Sequence, residues 1–104
     1  MKGYQLTFFT QQDRRHGAQA LSEWLIDEAK RLGIQGATVI PGSEGFGFHR
    51  HIHSAHFFEL ADQPIEIVMA VTEAQADLIM DRLRTELVHI FYVKNRVEFG
   101  VIGA

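Results

Sequence analysis

The sequence predicts an α+β fold in which a four-stranded antiparallel sheet carries two helices on one face. Three observations predict it. Stretches with an apolar period of two alternate with stretches whose period is three to four, in the order βαββαβ. The chain has 104 residues, 46% of them apolar, which suits one domain spanning 1–104 and no more, because a chain of ~100 residues lies at the mode of domain sizes. Right-handed crossovers then leave few arrangements for that element order, and the ferredoxin-like one places both helices on the same side.

Tyr4-Gln5-Leu6-Thr7-Phe8-Phe9-Thr10 alternates apolar and polar residues, with Tyr4, Leu6 and Phe8 on one side, as expected of a strand half facing a core. Gln11 to Gly17 is a polar connection carrying Arg14, Arg15 and His16. From Ala18 to Leu32 the period changes to that of a helix. Leu21, Leu25, Ala29 and Leu32 form its stripe, Ala18 and Trp24 widen it, and Asp27 is spaced to meet Lys30 and Arg31. Gly33 stops the helix as a left-handed C-cap would.

Gly36 to Ile40 is a second strand, rich in β-branched residues. Phe57 to Leu60 can extend a hairpin arm, and Ala61 to Pro64 reads as a turn. Ile65 to Val71 is a third strand, with Ile65, Ile67, Met69 and Val71 on one face. Thr72-Glu73-Ala74-Gln75 fits a capping box that opens a second helix. Its buried stripe is expected to be Ala76, Ile79, Met80, Leu83 and Leu87. Val88 to Val101 is a long β segment. This arrangement leaves one sheet face uncovered, bearing Gln5, Thr7, Phe9, Glu66, Val68 and Ala70. That mixture is too apolar for a free surface, and packing of sheets in an oligomer would bury it.

Composition removes several functions. The formal charge of −3 argues against a nucleic-acid partner, whose phosphates demand clustered Lys and Arg. No apolar run approaches the ~20 residues that span a bilayer, so membrane insertion is not expected. The absence of cysteine excludes disulfides, thiolate ligands and thiol nucleophiles. A cytoplasmic location is expected.

Chemistry concentrates between Gly36 and His56, in GATVIPGSEGFGFHRHIHSAH. His49, His51 and His53 follow H-x-H-x-H, with His56 three residues on. In extended chain that spacing puts three imidazoles on one face, within chelating reach for Zn, Ni or Cu. The alternative is a solvated loop whose histidines contact an effector or partner. The acids Asp13, Glu44, Glu59 and Asp62 are scattered, and neither Ser43 nor Ser54 is marked as an activated nucleophile. No catalytic constellation emerges, so a non-enzymatic function is expected.

With Gly36-Ala37-Thr38-Val39 leading into Gly45-Phe46-Gly47 and then Ile52-His53, flanked by Leu32-Gly33-Ile34 and Pro64-Ile65-Glu66-Ile67-Val68, the chain resembles the PII-like signalling proteins. It is similar in particular to family 190 of the domains of unknown function. The resemblance covers nearly the whole chain. It implies a homotrimer with ligand clefts between subunits. A small effector, often an adenine nucleotide, would bind at the base of the 44–56 loop, which engages a target protein such as a transporter or enzyme. Gly45, Phe46 and Gly47 would form the loop base whose backbone approaches the effector. Gly42, Gly45 and Gly47 permit close main-chain approach, so that N–H groups converge on an anion. Arg50 can add a bidentate contact, with His49 beside it. The sequence departs from the PII pattern in two places. Phe48 and His49 stand where an Arg-Gln pair is usual, and Arg84 to His89 has no glycine and offers only Arg84 and His89. Those departures point to a smaller or less charged ligand, such as AMP, a cyclic nucleotide or bicarbonate. A metal-binding or metal-sensing protein using the histidines is the alternative function, and an enzyme acting at a His-bound metal a third.

Overall fold

A computed structural model describes residues 1–46, 52–54 and 63–103. The main sheet holds β1 (Lys2–Gln11), β4 (Ala37–Pro41), β7 (Pro64–Thr72) and β8 (Phe91–Glu98). Their order is β4-β7-β1-β8, and every neighbouring pair is antiparallel. Helices α1 (Leu21–Arg31) and α2 (Glu73–Thr85) complete the ferredoxin-like fold. Two small ribbons are added, β2 (Arg15–His16) with β3 (Gln19–Ala20), and β5 (Glu44–Phe46) with β6 (Ile52–Ser54). No helix among the described residues is long and apolar enough to cross a membrane.

The period-two pattern of β1 sets the layers. Leu6 and Phe8 are fully buried, in register with Met69 and Ile67 of β7. They pack with Leu21, Leu25, Ala76, Ile79 and Leu83 in the core between sheet and helices. Burying a side chain the size of Phe8 or Leu25 contributes about 1.5–3 kcal/mol. The capping box is present as predicted. Gln75 N–H donates to Thr72 Oγ1 at 3.2 Å, and Thr72 N–H donates to Gln75 Oε1 at 2.9 Å. Gly33 lies at φ 79° and ends α1, with Ile34 N–H donating to the Ala29 carbonyl.

Four expectations need correction. The first helix begins at Leu21, and Ala18 is exposed, because the chain first turns through Gly17 at φ 62° to pair β2 with β3. Asp27 accepts a hydrogen bond from Gln19, while Arg31 pairs with Glu28 instead. Leu87 leaves the stripe of α2: it lies past the helix end, at φ 57° and 89% exposed. The last strand is shorter than Val88 to Val101, because its partner β1 starts at Lys2, opposite Glu98. The expected arm at Phe57–Leu60 and residues 61 and 62 of the expected turn lie outside the described residues; Pro64 opens β7.

The face away from the helices is uncovered, as expected. The register brings Thr7 beside Val68 and Val93, and Phe9 beside Phe91. Ile40 is 42%, Phe91 53% and Val93 37% exposed there.

Candidate functional site

Among the described residues, the predicted ligand positions Gly42 and His89 fall at one end of the sheet. There β1 finishes, β7 begins, β4 runs out at Pro41 and β8 starts at Phe91. Gly42 follows β4, and its N–H donates to the Pro64 carbonyl at 2.8 Å. A Cβ added to Gly42 would lie 3.3 Å from Pro64 Cγ. The fit against Pro64 is tight enough that any larger residue would have to push its ring aside by a few tenths of an ångström, and Gly42 is not in the left-handed region. Beyond it, Gly45 pairs with His53 and Phe46 with Ile52, so the segment starts as a two-stranded ribbon at 44–46 and 52–54. Of the other predicted residues, Gly47, His49, Arg50, His51 and His56 lie outside the described residues. Among the described residues, no group of three His, Asp or Glu side chains is placed to hold a metal.

His89 is exposed and lies two residues before β8, at the same end of the sheet but on the opposite edge from Gly42. Three strand spacings separate those edges, about 14 Å. One chain does not bring Gly42 and His89 together.

Between the edges stand two elements that read in the sequence as plain connections. The Arg15–Ala20 hairpin is held by Leu21 N–H donating to the Arg14 carbonyl. Its His16 ring packs against Trp24, tilted by 44° with centroids 4.3 Å apart, and Nε2 lies 3.1 Å from Glu86 Oε1. The turn after α2 presents Leu87, with Val88 N–H returning to the Leu83 carbonyl. The His16–Glu86 contact thus joins the hairpin to the turn that enters β8. His16 beside a glycine is the only local signal for it, and the partner is 70 residues away.

Beneath this pair lies a buried carboxylate. Glu28, 7% exposed, accepts hydrogen bonds from Arg31 Nε at 2.7 Å and from Arg82 Nη2 at 2.9 Å. Burial pushes its carboxyl up, but hydrogen bonds from Arg82 and Arg31 and their charges outweigh that and hold it below the ordinary carboxylate range. Arg82 also lies over the Trp24 ring, 5.9 Å from its centroid, and approaches Glu86 at 3.6 Å. The network fixes the hairpin and the end of α2 relative to each other, which positions backbone at the sheet's end without supplying a reactive group.

The family model DUF190, described as Uncharacterized ACR, matches residues 3–99. No curated protein matches the chain. Among solved structures, a Thermus thermophilus protein described as PII-like and provisionally assigned to signalling is 26% identical. The match covers 93% of this chain and 88% of that one, with a TM-score of 0.67. CPII of Thiomonas intermedia, a nitrogen regulatory PII-like protein bound to ADP, AMP and bicarbonate, is 20% identical, with 93% and 89% covered and a TM-score of 0.66. Its apo form is 19% identical, with 93% and 92% covered and a TM-score of 0.59.

Proposed function

The chain belongs to the DUF190 family, and from that premise we propose that it is a PII-like regulatory protein rather than an enzyme. In this reading it is a homotrimer that binds an adenine nucleotide in clefts between its subunits. The 44–56 arm reports occupancy to a target protein. The observation that carries the reading is the combination of an uncovered apolar sheet face with ligand-type residues split between the two edges of one sheet end. Closing three copies into a ring would bury Ile40, Phe91 and Val93 and complete each cleft with a neighbour.

The arm would contribute Gly42, Gly45, Phe46 and Gly47 as close-approaching backbone. Arg50 and His49 would meet the phosphate, and His89 would add a contact from the turn before β8. The ADP and AMP bound to CPII of Thiomonas intermedia motivate the nucleotide class. Ordering of the arm on binding would make it the signal.

Sedimentation equilibrium and calorimetric titration of dialysed protein with ADP and AMP test the proposal. The expected mass is three times the 11.8 kDa of the chain. Nucleotide binding should be abolished by Gly47→Asp and unaffected by His51→Ala. A strictly monomeric protein that binds neither nucleotide overturns it. Tight Zn or Ni binding lost in His51→Ala, with no nucleotide binding, would support the metal-sensing alternative instead.

A further inference from the structure

The opposite end of the sheet carries a separate cleft. The ten residues of β1 put it about 30 Å from the Gly42 end. It occupies about 380 Å³ where the start of β1, the first turn of α2 and the end of β8 meet, between Lys2, Tyr4, Glu73, Arg96 and Glu98. Gly3 and Val97 complete its lining.

The charges around it are of both signs and are not paired with one another. On β8, Lys94 and Arg96 project to the same side as Leu6 and Tyr4, their register partners. Lys94 Nζ lies 4.2 Å and Arg96 Cζ 5.5 Å from the centroid of the Tyr4 ring. Like charges two residues apart on one strand face repel. Among the described residues, no carboxylate lies within ion-pair distance of Lys2, Lys94 or Arg96, and no cation within that distance of Glu73 or Glu98. Opposite charges thus stand around one cavity without closing on each other.

The geometry points to a binding site for a small zwitterion of the α-amino-acid class. The ligand carboxylate is received by Arg96, whose planar fork suits it, with Lys2 beside it. The ammonium is received by Glu73 and Glu98, and the Tyr4 ring borders the carbon skeleton. A simple anion would satisfy the cations but meet two carboxylates, and a simple cation the reverse. A zwitterion satisfies both without adding net charge. The volume lies at the lower end of the ~300–1,000 Å³ range of ligand pockets, which suits such a molecule.

The test is a titration of the ¹⁵N-labelled full chain with each of the common L-amino acids in turn, followed by backbone amide shifts. At least one should give saturable shifts at Gly3, Glu73 and Arg96. Its N-acetyl and its carboxamide derivatives, Arg96→Gln and Glu73→Gln should each weaken binding about tenfold, the scale of one lost charged hydrogen bond. Unchanged shifts elsewhere establish that these exposed-site variants fold. The site is independent of nucleotide binding at the other end, which the same variants should leave intact. The inference is overturned if no amino acid gives saturable shifts, if the blocked derivatives bind as well as the parent, or if inorganic phosphate binds these amides as tightly.

Discussion

Replacement of Glu28 by Gln tests the account of what holds the two connections at the sheet's end. The substitution keeps the shape of the side chain and removes its charge. The carboxylate is 9% exposed and meets Arg82, whose side chain is 32% exposed, and Arg31, at 57%. A hydrogen bond to a charged group contributes ~1.5–3 kcal/mol, and the Arg82 contact retains most of that. The Arg31 contact is largely in water and is discounted to under ~1 kcal/mol. Glu28→Gln should therefore cost about 2–3 kcal/mol, a fall of roughly 10–20 °C in Tm for a chain of this size. The pH dependence has a definite sign. The folded carboxyl titrates below its unfolded value of about 4.5, so its stabilisation is present above that value and is lost as pH falls through the folded pKa. Urea denaturation at neutral and acid pH, at one fixed protein concentration, measures both effects. A variant within about 0.5 kcal/mol of the parent at neutral pH would refute the reasoning. So would a difference that stays unchanged in acid.

Two further substitutions probe backbone constraints. Leu87→Gly should stabilise the chain by about 1 kcal/mol, since an exposed side chain at φ 57° carries left-handed strain and buries nothing in return; a higher urea midpoint is the expected readout, and a lower one would assign Leu87 a contact with another copy or a ligand. Gly3→Ala should destabilise by about 2–3 kcal/mol, because its Cβ would stand 2.0 Å from the Val71 carbonyl oxygen, a backbone atom that moves only with β7. Its amide spectrum should change around Val71 and Val97, and an unperturbed spectrum would contradict the close approach.

What can be read from the sequence is whatever a short window encodes. Alternation in Tyr4–Thr10 is a property of one strand's backbone, and the capping box needs only Thr72 and Gln75. Leu87 misleads because a period-3.6 stripe runs on through it, while the helix ends at Thr85 and nothing in a leucine announces a left-handed turn. Alternation likewise continues to Val101 after the strand has stopped, because strand length depends on where the partner begins. The pairing of Arg82 with Glu28, and of His16 with Glu86, joins residues from different elements. Local spacing carries no record of such contacts. The candidate site divides in the same way. The glycine at 42 is legible, but its separation from His89 by the width of the sheet requires the strand order.

In the proposed trimer, that separation would tie ligand binding to assembly. The strands that lead to Gly42 and from His89, β4 and β8, are the two edges of the sheet, and they also expose Ile40, Phe91 and Val93. Residues 91–96 of β8 are exposed on both faces. An edge of that kind invites another chain. If a neighbouring copy covers it and completes the cleft, a ligand held there touches two subunits. It must then stabilise the assembly by the same free energy with which the assembly improves its affinity. The arm between β4 and β7 springs from the strand that would form that contact. In that assembly a change at the subunit boundary would reach its base through backbone already hydrogen-bonded in the sheet, without a separate relay.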